Sequence, residues 1–102
     1  MDRWRRTEER IARDLGGTAQ AGSGNTANRR GDIRVHGRLR VQEKTTSGRS
    51  FSLRSQDWEE VREQALLAGE EPVMVIRFLE GDRWLAVLDY DHLLALLEEE
   101  DG

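Results

Sequence analysis

The chain of 102 residues contains no cysteine, one proline, one tyrosine, two histidines and a single lysine. Without cysteine there are no disulfides, no zinc–thiolate centre and no thiol nucleophile. No apolar run approaches the roughly 18 residues of a membrane span. The opening Met-Asp-Arg-Trp-Arg-Arg has no apolar core of a signal peptide. These absences lead us to expect one soluble, cytoplasmic domain with no membrane and no small-molecule cofactor.

What is abundant is charge, at 35% of residues against 36% hydrophobic. That is polar for a globular protein, yet apolar enough to build one core. The net charge of −4 hides an asymmetry. Residues 1–54 carry 13 basic and 6 acidic side chains, a net +7, whereas residues 55–102 carry 3 and 14, a net −11. A basic half of this kind suits a polyanionic partner.

Hydrophobic periodicity orders the chain. Residues 3–15 predict a helix with Trp4, Glu8, Ile11 and Leu15 on one face, stopped by Gly16-Gly17. A small, polar loop fills 18–31, with a short strand near Thr18–Gln20. Residues 32–46 predict a hairpin about His36-Gly37-Arg38. A three-residue loop pairs Val35 with Leu39, Ile33 with Val41 and Asp32 with Gln42. That register sets Ile33, Val35, Leu39 and Val41 on one face and Asp32, Gln42 and Lys44 on the other. Phe51 and Leu53 continue with a period of two. Ser55 is placed to cap a helix over 56–68, whose expected buried stripe is Trp58, Val61, Ala65 and Ala68, widened by Leu66 and Leu67. VMVIRFL reads as a central strand covered on both faces, RWLAVL as another strand, and DHLLALLEEE as a terminal helix with a fraying acidic tail over 98–102. The order α-β-β-β-α-β-β-α implies an α/β domain, a central mixed β-sheet flanked by helices.

The lone Lys44 stands out among 15 arginines. Arginine does not lose its proton at any working pH, whereas lysine is a compact charge whose pKa shifts readily. A site that needs that property resists replacement of Lys by Arg. Asp32, Gln42 and Lys44 together place an acid, an amide oxygen and an ammonium on one patch, a hard-cation site suited to Mg²⁺ or Mn²⁺. Glu8 lies between Trp4 and Ile11 on the apolar face of the first helix, where a carboxylate needs a partner.

Asp32 followed by Gln42-x-Lys44 resembles the D…(E/Q)xK signature of the PD-(D/E)xK nuclease superfamily. The chain is most similar to its small archaeal-type and phage-type Holliday junction resolvases. The similarity runs through EERIARDLGG, AGSGNTANRRGDIRV, RVQEKTTSGRSFSL and DWEEVREQALLAGEEPVMVIRF, across roughly residues 7–88. It implies a restriction-endonuclease-like fold and an Mg²⁺-dependent endodeoxyribonuclease, with Mn²⁺ as a substitute. Glu8 matches the carboxylate of the first helix, a place that Glu9 would take after a one-residue shift. Asp32 matches the metal-binding aspartate, Lys44 the catalytic lysine, and Ser23 a serine in the loop before the aspartate. Gln42 departs from the usual Glu, and the backbone carbonyl of Glu43 is implied as a further metal ligand. The implied partner is branched DNA, a four-way junction cut by a homodimer, in a cytoplasm that for a phage-encoded enzyme is the host's. Other nucleases of the superfamily, nickases or restriction-like enzymes, and an inactive nucleic-acid-binding module are the alternatives.

Phosphate contacts are expected from Arg5, Arg6, Arg10, Arg29, Arg30 and Arg49, with Arg3, Arg13, Arg34 and Arg38 as further candidates. The loop 22–31 lacks the Gly-Lys-Ser/Thr ending of a P-loop. His36 reads as a turn residue, and Trp58 and Trp84 as core.

Overall fold

The computed structural model describes residues 3–19 and 31–101, with the backbone alone for Arg3, Trp4, Arg5, Gly31, Asp32, Glu100 and Asp101. The order of elements is α1 (Arg3–Leu15), β1 (Thr18–Ala19), β2 (Gly31–Val35), β3 (Leu39–Thr46), α2 (Ser55–Leu67), β4 (Glu71–Phe78), β5 (Arg83–Leu88) and α3 (Tyr90–Asp101). The strands form a mixed sheet in the order β1-β2-β3-β4-β5. Neighbours are antiparallel except β3 and β4, which run parallel because α2 carries the chain back between them. This is the α/β class expected from the sequence.

The β2–β3 register is the expected one: Val35 opposite Leu39, Ile33 opposite Val41 and Asp32 opposite Gln42. Its turn, His36-Gly37-Arg38, holds Gly37 at φ +75°, a conformation that costs a residue with a Cβ. A distant group also fixes the turn. Glu70, whose side chain is fully buried, accepts both Arg34 Nε at 3.1 Å and an Arg34 terminal nitrogen at 2.9 Å, and the Gly37 backbone N–H at 3.0 Å. Glu70 can reach because Gly69, at φ +69°, ends α2 with the Glu70 N–H bonded to the Ala65 carbonyl at 2.9 Å. The Arg34 fork holds the Glu70 carboxyl below its ordinary pKa, with the Gly37 N–H helping against the cost of burial. Arg34 therefore has a structural partner in Glu70.

Two cores sandwich the sheet. Ile11, Ile33, Val41 and Val73 are buried beneath α1, with Leu39, Val75, Trp84 and Leu88 packed around them. Val61, Met74 and Ile76 are buried beneath α2, with Phe51, Trp58, Phe78 and Val87. Alternation along β3 and β4 feeds each core from successive residues, so the middle strands are covered on both faces. Trp84 is also clasped by two guanidiniums, Arg10 at 4.4 Å and Arg77 at 4.6 Å from its ring centre, which tie α1 to β4 and β5.

Several sequence expectations fail locally. Ser55 is the first helical residue and Arg54 the cap, its N–H donating to Asp57 at 3.3 Å. Residues 51–54 are irregular rather than strand. Leu66 and Leu67 do not widen the buried stripe of α2 but lie exposed, and Leu15 is exposed on α1 while Thr7 is fully buried. His36 is an exposed turn residue as expected, and Trp58 and Trp84 are half-buried at the edges of their cores.

Candidate active site

The carboxyl-terminal half of β3 passes between both helical layers, and its residues alternate between two environments. Gln42 and Lys44 face α2, where they line a pocket of about 260 Å³ with Phe51, Ser52, Asp57 and Glu60. Gln42 is only 4% exposed, and Lys44 is half-buried. Asp32 stands directly across from Gln42 in the ladder, and Lys44 lies beside Ile76 of the parallel strand β4. The spacing inferred from sequence thus becomes a real juxtaposition of Gln42 and Lys44, with the Asp32 backbone in register.

Asp57 and Glu60 lie on the first turns of α2. Their i, i+3 spacing puts both on the side that covers Lys44. Asp57 is held below its ordinary pKa mainly by hydrogen bonds from Arg54, and the Lys44 charge adds to this. The pocket is therefore an amide oxygen, an ammonium and two carboxylates at the end of a central strand.

Glu43 faces the opposite side, toward α1, and sequence reasoning assigned only its backbone carbonyl. Its side chain is fully buried, and neither carboxylate oxygen completes a hydrogen bond. Burial pushes its pKa up to about 7, and the nearby Glu8 charge pushes the same way. The Thr45 hydroxyl lies close enough to oppose this without hydrogen-bond geometry, and Lys44 and Arg77 pull in the same lowering direction. Glu8 is half-buried on α1, on the Glu43 side of the sheet. Glu9 is exposed, so the face argument for Glu8 over Glu9 agrees with the packing. The signal for Glu43 was present in the alternation Val41-x-Glu43, which puts an acid on the same face as a core valine. It becomes legible once α1 is known to cover that face.

Around this centre, Arg77 donates to the Thr7 hydroxyl at 2.9 Å and to Asp82 at 3.1 Å. Arg49, in the segment after β3, pairs with Glu80 at 3.2 Å on an exposed surface. Arg6, Arg10 and Arg38 are exposed, and Arg10 also meets Asp14 at 3.6 Å. Ser23, Arg29 and Arg30 lie outside the described residues, as do the side chains of Arg5 and Asp32.

The donor set suits a hard divalent cation in part. Gln42 offers a buried amide oxygen, and oxygen donors select Mg²⁺ or Mn²⁺ over softer metals. Among the described residues, no three His, Cys, Asp or Glu side chains converge closely enough to hold a metal ion. Among the described residues no helix is long and apolar enough to cross a membrane. No family model, no curated protein and no solved structure matches this chain.

Proposed function

We propose that the protein is a metal-dependent, structure-selective DNA endonuclease of the PD-(D/E)xK type, acting as a homodimer on four-way junctions. The observation that carries this reading is the ladder register. It sets Asp32 opposite Gln42, with Lys44 one same-face step further on, at the end of a strand parallel to its neighbour. Three further features support it. The mixed sheet flanked by helices fits the fold class that the resemblance implies. The Gln42–Lys44 pocket is lined from β3, from Met74 in the middle of β4, and from the start of α2 with the segment before it. The first turn of α1 carries arginines and no acid, which favours an anion at that helix end.

Asp32, the Gln42 amide oxygen and the Glu43 carbonyl would hold Mg²⁺ or Mn²⁺; Glu8, expected as a further ligand, lies on the α1 side of the sheet, across from the Gln42–Lys44 pocket, and is not part of this shell. The ion when bound supplies charge to the scissile phosphate and makes water a better nucleophile. Lys44 orients the attacking water, takes up its proton when neutral, and offers positive charge to the phosphorane-like transition state. A water oxygen–phosphorus bond forms as the phosphorus–O3′ bond breaks. The leaving O3′ takes a proton from solvent, giving a 5′-phosphate and a 3′-hydroxyl. Arg5, Arg6, Arg10, Arg29, Arg30 and Arg49 position the backbone, with Ser23 in the adjoining loop, and carry no base information.

Gln42 in place of a carboxylate gives weight to one second reading, a nucleic-acid-binding module without catalysis. A magnesium titration with a labelled four-way junction beside a linear duplex separates the two. Cleavage of the junction that saturates with metal, and that Lys44→Ala or Asp32→Asn abolishes while binding stays within several-fold, is the expected result. Binding without cleavage at any metal concentration selects the module. Equal cutting of duplex and junction retains a nuclease but removes its junction selectivity.

A further inference from the structure

Once its residues are placed in the fold, the expected ion shell is short of negative charge. Glu8 stands on the α1 side of the sheet and Gln42 is a neutral amide, which leaves Asp32 as the one carboxylate of that shell. Lys44 adds a positive charge to the same pocket. A divalent ion beside an ammonium and one carboxylate keeps positive charge in excess, and hard cations take carboxylate oxygens foremost. The wall opposite β3 holds the acids that could balance it. The first turns of α2 carry Asp57, Glu59, Glu60 and Glu63, and helix geometry sorts them. Glu59 lines a separate groove between α2 and α3, with Arg62 and Asp89. Glu63 is exposed a turn further along. Asp57 and Glu60 line the pocket with Gln42 and Lys44. Asp57 is committed elsewhere: its carboxylate accepts the Arg54 backbone N–H, Arg54 Nε and an Arg54 terminal nitrogen, each at 3.3 Å. These bonds form the cap of α2, so drawing Asp57 to an ion would open the helix end.

We propose that Glu60 is a direct ligand of the divalent cation, supplying from α2 the carboxylate that β3 lacks at Gln42. The ion itself comes from the nuclease reading, on which this assignment rests. Gln42 and Glu60 then hold the ion from two walls of a pocket of about 260 Å³, which leaves room for the waters that Mg²⁺ keeps. Glu60 stands outside the cap of α2 and is exposed, so its carboxylate can change rotamer toward the ion without repacking the core. Its charge also offsets the Lys44 ammonium, so that the ion and the lysine can share one pocket. Phe51 and Met74 form the apolar part of the lining, where fewer waters screen these charges.

The test measures Mn²⁺ binding to the full chain without DNA, from the loss of the free-ion signal in electron paramagnetic resonance, with junction cleavage followed in parallel. Glu60→Gln keeps the shape of the side chain and removes its charge. It should weaken Mn²⁺ binding at least about tenfold and raise the metal needed for half-maximal cleavage alike, while the far-ultraviolet spectrum is retained. Glu60→Asp keeps the charge and shortens the reach, so a direct ligand loses affinity here too. Glu59→Gln, in the other groove, should leave binding nearly unchanged. Gln42→Glu combined with Glu60→Gln returns a carboxylate from the β3 wall and should bring the affinity back close to that of the wild type. Wild-type affinity in Glu60→Gln or in Glu60→Asp, a double variant no tighter than Glu60→Gln alone, or a wild type that binds no Mn²⁺ at millimolar concentration overturns the proposal. Cleavage with an unchanged metal dependence in Glu60→Gln also overturns it and leaves the nuclease reading standing. Mn²⁺ binding that Glu60→Gln weakens and the double variant restores, in a chain that cuts no junction, upholds the ligand and overturns the nuclease reading.

Discussion

Glu43→Gln is a direct test of the buried carboxyl beneath α1. In the unfolded chain Glu43 titrates near 4.5, and in the folded protein near 7. The folded state therefore binds more protons than the unfolded one between these values, and stability falls as pH rises through that window. The carboxyl contributes no penalty below about pH 4.5 and its full penalty above pH 7. A difference of this size corresponds to about 3 kcal/mol, at 1.36 kcal/mol per pH unit. Glutamine has nearly the same shape and no charge to desolvate. The variant should match the wild type near pH 4.5 and exceed it by about 3 kcal/mol at pH 8. Urea unfolding followed by tryptophan fluorescence, with EDTA throughout, reads this out. With a slope of about 1–2 kcal/mol per molar urea, the midpoint at pH 8 rises by roughly 1.5–3 M. The difference between the two proteins cancels other titrating groups. Parallel pH profiles, or a variant weaker than the wild type at pH 8, would show that Glu43 is ionised and partnered in the fold, and the reasoning would be refuted.

Gln42→Glu adds a charged oxygen to the expected ion shell, so half-maximal cleavage should need less metal; an unchanged metal dependence would mean that residue 42 does not touch the ion. Glu70→Ala leaves Arg34 and the Gly37 N–H without their acceptor and should cost about 3 kcal/mol, at the low end for a broken buried pair because Arg34 is partly exposed. A thermal melt should then fall by roughly 12 °C or more, and a loss within about 2 °C would contradict the clamp. The same pair is worth most above the ordinary carboxylate value near 4.5 and is lost as pH drops through the lowered folded value, so Glu70→Ala should narrow its deficit in acid. Replacing Arg29 and Arg30 with Ala should flatten the salt dependence of junction binding by about 0.9 log units per lost phosphate contact, read from titrations at several salt concentrations. An unchanged slope would place that loop away from the DNA backbone.

Much of the architecture was written locally. The helical spacing of α1 and α2, the stops at Gly16-Gly17 and Gly69, and the alternation about His36-Gly37-Arg38 depend on a few neighbouring residues, and the strands formed in the expected register. Register is the strongest case, because a one-residue slip would turn Ile33 and Val41 out of the core. It is also what carried Gln42 and Lys44 to one pocket. What the sequence could not decide is which face each element presents to which neighbour. Leu66 and Leu67 continue the apolar run of α2, but the helix meets the sheet through Val61 and Ala65, so the leucines stay outside. Glu43 looked like a strand acid with only a carbonyl to offer, yet β3 has helices on both faces and its carboxyl is sealed beneath α1. Glu70 and Arg34 stand 36 residues apart and meet only because β3 and β4 run side by side in parallel. Periodicity records that a residue has a face; only docking determines what covers it, since burial depends on groups brought together from distant parts of the chain.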